Sequence, residues 1–290
     1  MAPERTQRAC SFLFVPATRP ERLPKALAIG ADMVIADWED AVAPADKPAA
    51  REQLAQAVAR LAETDRARLL VRVNAEGTPW FAEDLAAVRP LIAQGCAGIV
   101  IPKAERAQTL SVAAHALGAR AVLLPLIESV AGLDAVDALA AAPHVSRLAF
   151  GHLDFQVDAG MQCGENEDEL LPIRMALVLA SRQARLASPI DGVTVDTRDG
   201  ERLTRDAERA RRMGFGGKLC IHPAQVAPLH AAFDPDDATV ADARRVEAAS
   251  KQAGGGVTML DGRMVDAPVL LRARDILRRH AWAQRRGEAG

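Results

Sequence analysis

Short apolar runs rich in β-forming residues recur along this chain, and each is followed by a longer stretch with helical periodicity. Eight such runs lie at residues 12–15, 33–36, 69–73, 98–101, 121–127, 147–150, 192–195 and 218–221. Most are continuously apolar, which is typical of parallel strands covered on both faces. Helices are predicted between the runs, for example at 48–63, 109–117, 171–186 and 201–213.

This eightfold alternation predicts an α/β fold, the TIM (β/α)8 barrel, since no Gly-rich dinucleotide fingerprint follows the first run. The 290 residues, 49% of them hydrophobic, fit a barrel of roughly 250 residues with an extension. Two ordinary domains are the alternative. We predict a catalytic barrel over residues 1–232 and a C-terminal helical extension over 233–290, which folds over the barrel or reaches a neighbouring subunit.

The balance of charge argues against a nucleic-acid partner, because 36 basic and 38 acidic side chains are interspersed and give a net charge of -2. The first residues carry no apolar stretch of the length found in signal peptides, and no run approaches the roughly 20 residues that span a bilayer. The four cysteines are far apart, which favours free thiols in a reducing compartment. We therefore predict a cytoplasmic protein with no membrane segment.

Polar residues follow the predicted strands at their C-terminal ends, where β/α barrels carry their active sites. Charged groups at a barrel mouth are costly unless they are paired or bind a metal, so their number predicts a functional site. These residues are Asp37, Glu39, Asp40, Arg72, Asn74, Lys103, Glu128, His152, Asp154, Asp196 and His222.

Two carboxylates on neighbouring strands are candidate metal ligands. Glu128 ends the run AVLLPLIES and Asp154 ends the run LAFGHLDF, and Mg²⁺ is commonly held by one or two carboxylates. Solvated surface carboxylates are the alternative. Arg72, in LLVRVN, can grip a substrate carboxylate with its planar fork; the alternative is a structural ion pair with Asp37 or Glu39.

His152 precedes Asp154 by two residues, so in an extended segment both side chains would point to the same side. It is a candidate catalytic residue, either as a hydrogen-bond donor to the substrate or as a proton carrier near neutral pH. The alternative is a residue that only orients Asp154.

Many segments together resemble the citrate lyase β-subunit and malyl-CoA lyase family. In order from about residue 10 to residue 278 they are SFLFVPATRPERLPKAL, GADMVIADWEDAVAPADKPAAR, LLVRVN, GIVIPKAE, LLPLIES, LAFGHLDFQVDAG, SPIDGVTVD, GFGGKLCIHPAQV and GGGVTMLDGRMVDAPVLLRARDIL. The resemblance implies a Mg²⁺-dependent TIM-barrel enzyme that assembles as a homotrimer or a dimer of trimers. Four residues depart from the commonest family pattern, which leaves the identity of the substrate open: Ala17, Ala36, Trp38 and His152.

The resemblance also implies roles for individual positions. Glu128 and Asp154 correspond to the Mg²⁺ ligands, with Glu128 also near the substrate, and Arg72 to the residue that binds the keto-acid carboxylate. The residues expected toward the CoA moiety are Phe14, Arg19 and Lys25, and those expected near the metal, through water or behind its ligands, are Asp37, Glu39 and Asp40.

Asp266, in the tail motif LDGRMVDAP, is the position that the resemblance places in the site of an adjacent subunit, as an acid or base near the thioester carbon. A solvated aspartate in a surface turn is the alternative. The implied activity is a carbon–carbon lyase that cleaves or condenses a hydroxyacyl-CoA thioester, such as citryl-CoA or malyl-CoA, into acyl-CoA and a keto acid. Alternatives are a class II 2-keto-acid aldolase and a lyase subunit that works only in a multi-subunit complex.

Overall fold

The structure is a computed structural model and describes residues 2–288. Within that range eight parallel strands close into a barrel in sequence order, with the eighth strand beside the first. The strands are β1 (Ser11–Pro16), β2 (Met33–Asp37), β3 (Leu69–Arg72), β4 (Gly98–Ile101), β5 (Val122–Ile127), β6 (Ala149–Phe150), β7 (Ile190–Asp191) and β8 (Gly217–Cys220). The predicted TIM-barrel class is confirmed.

Helices occupy the connections between the strands, as the periodicity predicts. In the barrel unit they are α1 (Ala2–Arg8), α2 (Leu23–Ala28), α3 (Lys47–Arg60), α4 (Glu63–Arg66), α5 (Phe81–Ala93), α6 (Ala107–Leu117), α7 (Val130–Asp134), α8 (Val136–Ala140), α9 (His152–Asp158), α10 (Leu171–Gln183), α11 (Gly200–Met213) and α12 (Val226–Phe233). Short 3-10 turns precede several of them, at Pro20–Arg22, Pro44–Asp46, Asp168–Leu170 and Pro223–Gln225.

The barrel interior is a continuous apolar core. Strands β2 and β5 are buried along their whole length, which explains why their sequences do not alternate. Phe12, Ile35 and Leu124 pack together inside the barrel, and each fully buried side chain of this size stabilises the fold by about 1.5–3 kcal/mol.

The seventh strand is displaced from its prediction. We expected it at residues 192–195, but β7 is Ile190–Asp191. Asp191 is a charged residue within this strand, but it is fully buried and accepts a hydrogen bond from Nε of Arg174 at 3.0 Å. A buried ion pair therefore replaces the apolar side chain that the pattern required.

The segment after the sixth strand is helical and not extended. Strand β6 ends at Phe150, and His152 opens helix α9. Residues two apart on a helix point roughly 200° apart around its axis. The extended segment in which His152 and Asp154 would point to the same side is therefore not present.

The chain divides into two compact units, the first ending at Ala232 and the second beginning at Phe233. The second unit contains α13 (Asp237–Gln252), the antiparallel pair β9 (Thr258–Leu260) and β10 (Arg263–Val265), and α14 (Ala267–Glu288). Ala243, Val246, Val265 and Ala273 form its small core. Among the described residues, no helix has the length and apolar character that crossing a membrane requires.

Candidate active site

A cavity of about 400 Å³ lies at the C-terminal ends of the barrel strands. Seven of the predicted site residues line it: Phe14, Asp37, Asp40, Arg72, Glu128, His152 and Asp154. The rest of its wall is largely apolar, with Leu126, Phe150, Val193, Leu219 and Ile221. Folding therefore brings together most of the polar residues that the sequence placed at separate strand ends.

Arg72, at the end of β3, is held by carboxylates from the segment that begins at the end of β2. Its Nε and Nη2 donate to Oδ1 and Oδ2 of Asp37 at 2.7 and 2.6 Å. Its Nη1 lies 2.9 Å from Glu39 and 3.2 Å from Asp40. Burial disfavours the charged guanidinium, but Asp37, Glu39 and Asp40 together outweigh burial, and the pKa of Arg72 is raised. The structural ion pair of Arg72 with Asp37 and Glu39, which was one of the two interpretations of its sequence, is thus present. The same side chain also lines the cavity.

An aromatic ring contacts this guanidinium, and a second cation contacts one of its acidic partners. The Phe14 ring lies under Arg72, with 4.9 Å between the guanidinium carbon and the ring centroid, in the range of a cation–π contact. Lys103, two residues after the end of β4, places Nζ 3.3 Å from Oε1 of Glu39. Burial raises the pKa of Glu39, although Arg72 and Lys103 both oppose that change.

Glu128 is buried directly after β5. Its Oε1 accepts a hydrogen bond from the main-chain N–H of Lys103 at 2.7 Å, and Nζ of the same lysine lies 4.0 Å away. Burial, followed by the charge of Glu39, raises the pKa of Glu128 to about 8. The raised pKa means that too little positive charge surrounds the Glu128 carboxylate to stabilise its ionised form. A bound cation would supply that charge.

Gly151 makes room for this carboxylate. A Cβ atom at position 151 would lie 2.4 Å from Oε2 and 2.7 Å from Cβ of Glu128. Glycine is therefore required here for space, and not for an unusual backbone angle, because φ of Gly151 is -95°.

Asp154 lies in the first turn of α9 with an exposed side chain. Within the described part of the chain its carboxylate makes no hydrogen bond and no ion pair, so its oxygens are free to bind a ligand in the cavity. The two predicted metal ligands thus differ in environment, one enclosed and one open.

The imidazole of His152 is buried and does not contact the carboxylate of Asp154. Its Nε2 instead lies 3.4 Å from Oε1 of Glu167, a residue in the loop before α10. This arrangement gives no support to the alternative in which His152 orients Asp154.

The remaining predicted residues lie outside the cavity lining. Arg19 and Lys25 are exposed, and Arg19 lies 3.8 Å from Glu21. Asp266, in the second unit, is half-buried and its Oδ1 accepts the main-chain N–H of Val269 at 3.2 Å, near the start of α14. Their proposed roles toward CoA and an adjacent subunit stay predictions.

Sequence reasoning missed the roles of three residues around the site. Gly192 lies against His152, since a Cβ atom at position 192 would be 2.1 Å from Nδ1 of that residue. Gly151 and Gly192 each follow a strand directly, and glycine at such a position indicates close approach of another group. Glu167 carries no such signal, since it lies in a loop far from any predicted strand end.

Comparison with known proteins agrees with this geometry. Residues 10–223 match the family model described as HpcH/HpaI aldolase/citrate lyase. A citrate lyase subunit beta-like protein of Deinococcus radiodurans is 35% identical over 280 residues, covering 93% of this chain and 97% of the relative. The L-malyl-CoA/beta-methylmalyl-CoA lyase of Rhodobacter capsulatus is 32% identical over 312 residues, covering 98% of this chain and 97% of the relative.

A solved structure shows the same architecture. The protein CitE from Mycobacterium tuberculosis, in complex with magnesium, acetoacetate and coenzyme A, superposes with a TM-score of 0.80 at 34% identity, covering 95% of this chain and 99% of that chain. The matched model spans most of the barrel, and relatives above 30% identity are matched over nearly their full length. The resemblance inferred from the motifs is therefore confirmed, and this chain belongs to the HpcH/HpaI aldolase/citrate lyase family.

Proposed function

We propose that this carbon–carbon lyase of CoA esters cleaves or forms a hydroxyacyl-CoA thioester, such as malyl-CoA or citryl-CoA, at a magnesium ion held by Glu128 and Asp154. The observation that carries the proposal is that both carboxylates and the guanidinium of Arg72 line one cavity. The proposal is supported by two relatives. One is the L-malyl-CoA/beta-methylmalyl-CoA lyase of R. capsulatus, and the other is M. tuberculosis CitE in complex with magnesium, acetoacetate and coenzyme A.

The residues present fit Mg²⁺. Glu128 is buried beside Glu39, and Asp154 offers a carboxylate with no partner in the described chain. Oxygen ligands of this kind suit a hard divalent cation, which fills its other positions with water and substrate oxygens. When bound, Mg²⁺ acts as a Lewis acid on the substrate oxygen that becomes the keto-acid carbonyl.

Arg72 is proposed to bind the carboxylate of the keto acid. Asp37 holds the Nε and Nη2 edge and thereby fixes the guanidinium plane. Nη1, shared with Glu39 and Asp40, is the group that would donate to the substrate. Asp37, Glu39 and Asp40 contact Arg72, and Glu39 also contacts Lys103. We assign these three acidic residues to orienting the cations around the cavity.

The CoA moiety is proposed to lie toward Phe14, Arg19 and Lys25. The two exposed cations are suited to phosphate groups, and Phe14 lines the cavity next to Arg72. His152 is proposed to hydrogen-bond the substrate from the cavity wall.

We further propose that the chain acts as a homotrimer or a dimer of trimers in the cytoplasm, with the second unit contributing Asp266 to the site of an adjacent subunit. The carboxylates of the cavity are engaged with cations or assigned to the metal, which leaves the acid or base at the thioester carbon to come from elsewhere. Cys96 and Cys220 are buried free thiols, which supports a reducing compartment.

Assays of the purified chain with citryl-CoA, malyl-CoA and methylmalyl-CoA test the proposal. We expect acyl-CoA and keto acid to appear together with Mg²⁺ and neither to form with a chelator. Cleavage of a free hydroxy-keto acid without CoA would instead show a 2-keto-acid aldolase. Free CoA without keto acid would show hydrolysis, and activity only after a partner protein is added would show a complex-dependent subunit.

A further inference from the structure

Lys47, the first residue of α3, is a buried cation outside the lining of the cavity, with 4% of its surface exposed. Its Nζ donates to the main-chain carbonyls of Trp38 and Glu39 at 2.8 and 3.0 Å. It also donates to Oδ1 of Asn74 at 2.5 Å. These acceptors use all three N–H groups of the ammonium. A buried charge is costly without partners, so this full set of bonds holds the side chain in one place.

The two carbonyls belong to the loop after β2, which wraps around the carboxylate of Asp37. The N–H groups of Glu39 and Ala41 donate to Oδ1 and Oδ2 of Asp37 at 2.9 and 3.3 Å. The N–H of Trp38 donates to the main-chain carbonyl of Arg72 at 3.0 Å. The same segment supplies the three acidic side chains around the Arg72 guanidinium. The backbone of this loop therefore helps to set where the guanidinium lies.

Asn74, the third acceptor, ties the same ammonium to the segment that carries Arg72. Asn74 lies two residues beyond Arg72, and its main-chain N–H and its Nδ2 both donate to Oδ2 of Asp84 at 2.7 Å. Asp84 lies in the first turn of α5, is fully buried and accepts from Nε of Arg51 at 2.7 Å. Asn74 is thus anchored itself, and Lys47 joins the end of β3 to the loop after β2.

We propose that Lys47 is a positioning residue for the keto-acid carboxylate, because it fixes the loop after β2 against the end of β3 and so keeps Nη1 of Arg72 toward the substrate. The inference rests on the proposed function of Arg72. Methionine at position 47 would remove one donor from each of three acceptors, which disfavours the present loop conformation. A misplaced binding group weakens catalysis even when the group itself is still present.

Arg68 provides a matched control at the opposite end of the same two strands. It directly precedes β3, and its Nη2 donates to the main-chain carbonyls of Leu27 and Ala31, both ahead of β2, at 2.8 and 2.6 Å. Arg68→Met therefore removes a partly buried cation from two carbonyls without touching the loop that holds Arg72. Thermal unfolding of both variants measures the general loss of stability, so that an effect confined to Lys47→Met reports on positioning.

Hydrogen exchange followed by mass spectrometry tests the loop without metal or substrate. The amides of Glu39 and Ala41 should exchange slowly in the wild-type protein, because both donate to Asp37. Lys47→Met should speed exchange in the peptide that contains them by about tenfold, the order expected for one lost hydrogen bond. Arg68→Met should leave that peptide unchanged. Unchanged exchange in folded Lys47→Met, or the same increase in Arg68→Met, overturns the proposal.

Condensation kinetics with Mg²⁺, acetyl-CoA and glyoxylate test the consequence for the substrate, with oxaloacetate in place of glyoxylate if the wild-type protein uses citryl-CoA. Lys47→Met should raise KM for the keto acid about tenfold, again the order of one hydrogen bond, and leave KM for acetyl-CoA unchanged. Arg68→Met should change neither. Calorimetric Mg²⁺ affinity should be the same in all three proteins, because Glu128 and Asp154 follow β5 and β6. An equal rise in both KM values, or an unchanged KM for the keto acid, overturns the proposal.

Lys47→Gln provides the test where Lys47→Met does not fold. The shorter glutamine amide has two N–H groups for three acceptors, so loop exchange and KM for the keto acid should both rise severalfold, and wild-type values of both would overturn the proposal. If the wild-type protein neither cleaves nor forms a thioester, the proposed function fails while hydrogen exchange still decides whether Lys47 fixes the loop. If the lyase is active and KM for the keto acid does not change, only the inference about Lys47 fails.

Discussion

Gly151→Ala is expected to displace the carboxylate of Glu128, a proposed metal ligand, without removing any polar group. The added methyl carbon would lie 2.4 Å from Oε2 of Glu128, about 1 Å less than the 3.4 Å at which ordinary contact begins. Glu128 is enclosed and bonded to Lys103, so relief requires its carboxylate or the start of α9 to move by a similar distance. Overpacking of this kind costs about 1–3 kcal/mol of folding free energy.

The larger effect is expected on function. A shift of about 1 Å at a positioned ligand costs on the order of 100-fold in rate, and disturbed support of a metal ligand costs about 10–100-fold in affinity. Calorimetric titration with Mg²⁺ measures the affinity, and thermal unfolding of the metal-free protein measures the stability change separately.

Gly200→Ala is the matched control for this variant. Gly200 opens helix α11, has no heavy atom within 4 Å of its would-be Cβ, and its φ is not positive. Alanine there should leave Mg²⁺ affinity unchanged and stabilise the helix by up to about 1 kcal/mol. Full Mg²⁺ affinity in folded Gly151→Ala would refute the assignment of Glu128 as a metal ligand held in place by the space at Gly151.

Further predictions concern the other groups of the site. Glu128→Ala and Asp154→Ala should each abolish Mg²⁺ binding in calorimetry while circular dichroism shows a folded barrel. Arg72→Lys should lose most activity, because an ammonium cannot reproduce the planar fork; normal steady-state kinetics would make this arginine purely structural. The lowered pKa of Glu167 means that its contribution to stability is present above about pH 4.5 and is lost as the pH falls further, so acid unfolding should be steeper in the wild-type protein than in Glu167→Gln. Inactive Asp266→Ala, mixed and reassembled with inactive Asp154→Ala, should regain part of the activity; no recovery despite demonstrated subunit exchange would place Asp266 outside an adjacent site.

Most strands of the barrel could be predicted from the local pattern of hydrophobic residues. The continuous apolar runs predicted strands buried on both faces, and β2, β4 and β5 lie where those runs lie. This works because the hydrophobicity of each residue correlates with its own burial. Strands covered by helices on both faces form either a closed barrel or an open doubly wound sheet, and the missing Gly-rich fingerprint favoured the barrel. The order of the motifs then identified the family, and with it the metal and the class of reaction.

The contacts inside the site were decided by tertiary structure. Asp191 breaks the apolar pattern of the seventh strand because its charge is compensated by Arg174 of α10, and hydrophobic periodicity records burial but not the identity of a partner. Arg72 could be placed at a strand end, but its bond to Asp37 depends on the pairing of β3 with β2. Glu167 reaches His152 only because the loop before α10 folds back onto the strand ends, and nothing in either local sequence specifies that distance.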